Sequence, residues 1–342
     1  MSTDPNDMSN NLLVTFHKLN AQILPLSPTG LKPNVQFSLL DFFENLKTWN
    51  YENFQYPFSS ERFCGLLGII EVDRPQNIVR LVFVVADKEA DPQCARDLTT
   101  NQTRLLNRKN NEAADQRVHV VIKVNPSSPF LADVGIEHCR GVSMRIFINT
   151  LNYLARHARL ENSSSKAYFV GEHPTERYQK GDKLGLPKPL DFKINFHYES
   201  VLSDEIVDAF INGKVKNVEF SQPPQVAPQW DNQGVFTQNL LRVNLNVSAV
   251  TLPSNITSTQ QKENIVKGYF RNLIAQHRNL QGTLFKIKFE DSKGTQRLAE
   301  YNPDDDVFVL VKKDKLPDSL RQPVTANITL NRPLCDTIQS KI

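Results

Sequence analysis

The residues best placed to do chemistry in this 342-residue chain are cations, and their spacing points to phosphate binding. Between Ser258 and Lys315 an amphipathic helix runs directly into a β-hairpin. At roughly 100° per residue, Lys267, Arg271 and Arg278 fall within about 40° of one another on that helix. Ile265, Val266, Tyr269, Phe270, Leu273, Ile274 and Leu280 form its apolar stripe, and the basic ridge lies nearly opposite. In the strand that follows, LFKIKF, Lys286 and Lys288 alternate with Phe285, Ile287 and Phe289, which predicts a half-buried strand with a basic outer face. Binding of duplex DNA without sequence preference requires positive charge along an extended surface, because most of its free energy comes from released counterions. Arg177, Lys180 and Lys183, in a Gly- and Pro-containing stretch, are a second set that could close over a duplex. A plain solvated helix face is the competing reading of the ridge.

The acidic and nucleophilic residues make a weaker case. Asp87, Asp91, Glu112, Asp115 and the pair Glu137-His138 could contribute to a metal-dependent nuclease, and His119 could be a general base beside a carboxylate. None has a spacing that the chemistry demands, and His119 lies inside a predicted strand. Asp304, Asp305 and Asp306 could bind a cation or form a solvated turn. There is no G-x-S-x-G, H-E-x-x-H or phosphate loop, and no helix-turn-helix, zinc-finger or aromatic RNA-binding signature. Cys64, Cys94, Cys139 and Cys335 are widely separated, as reduced thiols of a cytosolic protein would be. The sequence thus predicts no enzyme, no metal site and no cofactor.

Composition sets the frame. A hydrophobic content of 39% with 23% charged residues suits a globular chain with an ample core. A net charge of +3 is too small to demand a nucleic-acid partner, so only local clustering can argue for one. Thirteen glycines are few for a doubly wound nucleotide-binding fold. No signal peptide or membrane-length apolar run is evident, which predicts a cytoplasmic location.

The elements that must position the cations follow in order. Residues 1–11 read as a disordered tail and Leu12 to Leu24 as a first strand. Ser38 caps a helix over Leu39 to Trp49, and Phe63 to Val72 and Ile78 to Ala86 are strands joined by a turn at Asp73 to Asn77. Asp87 to Asp115 reads as a mobile helical or looped excursion, Arg117 to Val124 as a strand, Gly135 to Glu137 as a turn or short strand, and Ser143 to Ala158 as a helix. The aromatics Tyr51, Phe54, Tyr56 and Phe58 either dock a partner or, as favoured here, pack over the sheet. Asn162 to Ser165 is a candidate linker, and Glu172 to Leu190 an exposed loop. Asp191 to Glu199, Lys214 to Phe220 and Leu240 to Val250 are strands, with a short helix at Asp204 to Ile211. A turn at Glu290 to Thr295 leads to a returning strand at Gln296 to Tyr301 and a buried one at Val307 to Val311. The fold class is α+β, with mainly antiparallel sheets, packed helices and two domains. The expected boundaries are 12–165 for the N-terminal domain, 166–190 for a basic linker and 191–342 for the C-terminal domain.

This order resembles the RexA-like phage-exclusion and abortive-infection proteins, among them the KwaB component of Kiwa defence. The likeness rests on DEIVDAFINGKVKNVEF, with Ile206, Val207, Phe210, Gly213, Val215 and Val218 in place, followed by LLRVNLNVSAV, ENIVKGYFRNLIAQHRNL and FKIKFEDSKGTQRLAEY. RVHVVIKV, SMRIFINTLNYLARHA and DFKINFHYE extend it upstream, so it spans about residues 115–315 and leaves the first 90 unmatched. It implies a two-domain α+β protein that dimerises and binds double-stranded DNA without sequence preference. It supplies no catalytic residues. The expectation is a cytoplasmic, non-enzymatic, homodimeric DNA-binding protein of antiphage defence, signalling to a partner such as a membrane protein. Lys214 to Phe220 could pair two copies as an edge strand, although a satisfied internal strand looks identical in sequence. A nuclease, or a protein-interaction module without DNA, is the alternative.

Overall fold

The computed structural model describes residues 12–27, 30–49, 51, 54–89, 93–96, 99, 103–106, 113–139, 141–161, 163–181, 183–201, 204–222, 241–249, 256, 258–276, 285–290, 294, 296–302, 307–308, 313–321 and 327–342. The elements and their antiparallel pairing make the chain an α+β protein. It divides into two compact units, one running to Tyr198 and resuming at Asp314–Ile342, the other spanning Glu199–Lys313.

The first unit begins with β1 (Leu13–Pro25) and α1 (Leu39–Leu46). Ser38 caps α1 by accepting from the Leu40 N–H at 3.1 Å, and Leu39, Leu40, Phe42, Phe43 and Leu46 are buried. The meander β2 (Tyr56–Phe58), β3 (Phe63–Asp73) and β4 (Ile78–Asp87) follows. Asn77 closes the β3–β4 turn with φ 57°, a left-handed conformation that asparagine tolerates well. β4 is buried along nearly its whole length, the pattern of a strand covered on both faces. The stretch 87–115, expected as a mobile excursion, holds the paired strands β5 (Gln93–Arg96) and β6 (Thr103–Leu106), and then β7 (Ala114–Asn125).

β7 turns at once into β8 (Ser128–Glu137), a ten-residue strand where only a short one was expected. Pro129 masked the signal, but Ala132, Val134 and Ile136 alternate into the core. The turn is set by Asn125, whose Oδ1 accepts from the Ser127 N–H at 2.9 Å. α2 (Met144–Glu161) lays Phe147, Ile148, Leu151, Leu154 and Ala158 onto the same core as α1. Residues 162–165 are no domain boundary, because α3 (Ser163–Lys166) follows directly on α2 and Ser165 donates to the Ala158 carbonyl. Nor is 166–190 a linker. It contains β9 (Val170–Arg177) and the start of β10 (Pro187–Ser200), antiparallel neighbours in the sheet. Tyr51 is buried and donates to the Gly68 carbonyl at 2.6 Å, while Phe58 stacks on Tyr56 and Phe63. The early aromatics therefore pack over the sheet, as favoured.

The second unit contains α4 (Asp204–Ile211), β11 (Val215–Gln222), β12 (Leu241–Leu245), α5 (Thr259–Gln276), β13 (Phe285–Glu290), β14 (Gln296–Asn302) and β15 (Val307–Phe308). Its sheet runs β12-β11-β13-β14-β15. β11 is consequently an internal strand, hydrogen-bonded to β12 on one side and β13 on the other. This overturns the reading of Lys214 to Phe220 as a free edge for dimer pairing. The core joins Ile206, Val207 and Phe210 of α4 to Val266 and Phe270 of α5 and to Val218, Phe220, Phe285, Ile287 and Phe289 of the sheet. Among the described residues the helices cover one face, and on the other Lys286 and Lys288 are exposed.

The chain then returns to the first unit, so residues 314–342 do not belong with 199–313 as expected. β16 (Lys313–Lys315) pairs with β1 and completes a sheet of order β2-β3-β4-β7-β8-β1-β10-β9. The C-terminal helix α6 (Arg332–Gln339) buries Leu334, Cys335 and Ile338 and meets β8 through Ile338, which lies against Gly135. Arg80, only 6% exposed, fixes the helix by reaching Asp336 at 3.3 Å and Gln339 Oε1 at 2.6 Å, with Asp73 at 3.3 Å as a further carboxylate.

Candidate nucleic-acid interface

α5 starts where its residues dictate. Ser258 Oγ accepts from the Gln261 N–H at 3.2 Å, and Gln261 Oε1 accepts from the Ser258 N–H at 3.4 Å, a reciprocal capping box. The face that α5 buries differs from the predicted one. Val266 and Phe270 point inward, and Phe270 meets the rings of Phe210 and Phe285 edge-on at 5.6 and 6.0 Å. Tyr269 is 52% exposed. The buried face is rotated by roughly 65° from the expected stripe, and that rotation carries Lys267 inside. Lys267 is 2% exposed, with its ammonium 3.0 Å from Glu263 Oε1 and 3.6 Å from Glu199 Oε2.

Lys267 is therefore a structural cation and not a phosphate ligand, which corrects its assignment to the ridge. The apolar residues of α5 cover a wide arc, and Val266 and Phe270 are the part of it that faces the sheet. The cost of burying the ammonium is offset by Glu263 one turn earlier, the favoured order for such a pair. Arg271 stays exposed on the helical layer. Arg278 lies outside the described residues.

The alternation predicted for the strand holds from Phe285 to Phe289. Phe285, Ile287 and Phe289 are completely buried, and Lys286 and Lys288 project from the outer face of β13. That face is not purely basic. Lys286 stands in register with Glu219 of β11, and Lys288 Nζ lies 3.7 Å from Glu219. Because helices cover the inner face, Arg271 and the two lysines occupy opposite sides of this unit.

In the first unit, Arg177 ends β9 and donates through Nη1 to the carbonyls of His173 and Glu176 at 2.8 and 3.2 Å. Lys180 is exposed, and Lys183 lies 5.7 Å from the Tyr178 ring centroid. The loop between the strands is tight and hydrogen-bonded, with Gly181 and Gly185 both at φ 80°. These three residues thus share a structured hairpin end.

Among the described residues, those of the nuclease alternative do not form a cluster. Asp87 is paired with Arg62 at 3.0 Å and Asp115 with Arg117 at 3.1 Å. His119 does stand beside a carboxylate, with Nδ1 2.9 Å from Glu137 Oε2, but its Nε2 accepts from the Asn331 N–H at 3.1 Å. With one nitrogen held by Glu137 and the other by backbone, the ring serves to dock the segment leading into α6. Asp91, Glu112 and Asp304–Asp306 lie outside the described residues. Among the described residues no three His, Cys, Asp or Glu side chains group as a metal site. Cys64 and Cys335 are buried free thiols, and burial pushes the Cys335 thiol up to about 12. The Cys94 side chain is outside the described set. Among the described residues no helix is long and apolar enough to cross a membrane.

Sequence reasoning passed over Arg156 and Arg159 of α2 and Lys193 of β10, which the fold brings around one cavity. The three-residue interval of the arginines on a helix was the available signal, but the strand that completes the cluster is distant in sequence. No family model matches the chain, and no curated protein matches it.

Proposed function

We propose that this protein binds double-stranded DNA without sequence preference, as a cytoplasmic homodimer in an antiphage defence or exclusion system, and signals to a membrane-protein partner. The observation that carries the reading is the pair Lys286 and Lys288, held outward by three fully buried neighbours. Alternate residues of a strand are roughly 7 Å apart, comparable to the distance between successive phosphates of one nucleic-acid strand. A rigid pair at that interval neutralises phosphates without losing much side-chain order, and it reads no base edges. Arg177, Lys180 and Lys183 at the β9–β10 turn supply a second exposed cationic set. The antiphage role, the dimer and the signalling partner rest on the RexA-like order of elements over residues 115–315.

Glu219 limits the net charge of this face, so one face binds weakly and two copies in a dimer multiply the phosphates neutralised. A gel-shift with unrelated linear duplexes tests the reading. Equal affinity across sequences, lost in Lys286→Glu/Lys288→Glu and strengthened in Glu219→Gln, is the expected result. Unchanged binding in the double variant removes this face from the interface, and no binding at low salt removes DNA from the function.

A further inference from the structure

We propose that the first unit carries a binding site for a phosphorylated small molecule between α2 and β10. A cavity of about 420 Å³ opens there, within the size range of small-ligand pockets. Asn152, Ala155, Arg156 and Arg159 line it from α2, at the i, i+3, i+4, i+7 spacing that places four residues on one helix face. Lys193 and Asn195 line it from β10. Three cations thus face one cavity, and no carboxylate lines it.

None of the three cations is in an ion pair or hydrogen bond among the described residues, whereas many other basic side chains of this unit have an acidic partner. The Arg159 Nε is buried and lacks an acceptor. A buried guanidinium donor without an acceptor is costly, so the side chain that lines this cavity is under-satisfied as it stands. The walls are fixed in advance. Asn152 donates to the Phe196 carbonyl at 3.0 Å and accepts from the Phe196 N–H at 2.7 Å, which pins α2 to β10 beside the cavity. Two arginine forks and one ammonium on a preorganised frame match a phosphate group, which accepts several charge-assisted hydrogen bonds at once. Ala155 and Ile194 leave an apolar wall for the organic part of the ligand.

The same phosphate chemistry is present in a nucleic-acid backbone, and the test separates the two sources. Inorganic pyrophosphate is titrated calorimetrically into the full chain at constant ionic strength. Saturable binding of one pyrophosphate per chain is expected, weakened at least about tenfold in Arg156→Gln/Lys193→Gln. Both positions are exposed, so that variant keeps the fold, and Arg159→Gln serves as a second, independent variant. Lys286→Gln/Lys288→Gln leaves pyrophosphate binding unchanged, and the pocket variants leave duplex gel-shifts unchanged. Equal affinity in the pocket variants, or no saturable binding by the native chain, overturns the proposal. Joint loss of pyrophosphate and duplex binding in Arg156→Gln/Lys193→Gln assigns the cavity to the nucleic-acid backbone and also overturns it.

Discussion

Lys267 shows how a single side chain can change role without changing chemistry. Its ammonium sits beside Glu263 in a setting where both are almost fully buried, at 2% and 3% exposure. Removing one member of such a pair strands the other, at a cost of about 3–5 kcal/mol, whereas replacing both with apolar residues is close to neutral. Lys267→Met is therefore expected to lower the denaturation midpoint steeply, and Glu263→Leu/Lys267→Met to recover most of the loss. Equal midpoints for Lys267→Met and the native chain would show the lysine to be solvated. His17 gives the pH counterpart. It is buried, with Nε2 3.1 Å from Thr15 Oγ1, and burial lowers its pKa from 6.5 to about 3. The unfolded chain binds this proton below pH 6.5 and the folded chain does so only near pH 3. Stability is full above the higher value and falls on acidification through this window, by up to about 1.4 kcal/mol per pH unit. Relative to the native chain, His17→Phe should show a flatter acid limb in urea titrations between those two values. A parallel acid limb would contradict the buried neutral ring. At this scale the sequence was legible where alternation is strict, as from Phe285 to Phe289. It misled where an amphipathic helix carried more apolar surface than it could bury, as around Tyr269.

Secondary elements with a single dominant pattern were readable. β1, β3, β4, α4 and β13 fall within a residue or two of their expected bounds, and α1 starts where Ser38 caps it but ends at Leu46, three residues before the expected Trp49. β8, β9 and the start of β10 were not, because Pro129, Pro174, Pro187 and Pro189 imitate loop composition in strands whose hydrogen bonding tolerates them. The docking of α6 was also invisible, since it depends on Arg80, His119 and Gly135, all far upstream. Gly135 is the tightest point of that interface, where an added Cβ would meet Ile338 Cγ2. Gly135→Val is expected to displace α6 and cost about 1–3 kcal/mol, as overpacking does. Limited proteolysis should then release the segment after β16 before the sheet unfolds, while Ile338→Ala in the same background restores protection. Protection unchanged in Gly135→Val would mean that the helix is held elsewhere.

For the whole molecule, the α+β class was legible from alternating strands and short helices, while the division into units was not. The chain leaves its first unit at Glu199 and re-enters it at Asp314, and re-entry leaves no local mark in composition. The candidate interface was half legible. Lys286 and Lys288 were found by strand period, whereas their neighbour Glu219 comes from a strand whose pairing no local pattern specifies. The central claim, that these two lysines neutralise duplex phosphates, is tested most directly by the salt dependence of binding. Each phosphate contact contributes about −0.9 to the slope of log affinity against log salt. The account predicts that Lys286→Ala/Lys288→Ala makes that slope shallower by roughly 1.8 per chain engaged, equally for unrelated duplexes. An unchanged slope in the double variant would contradict it.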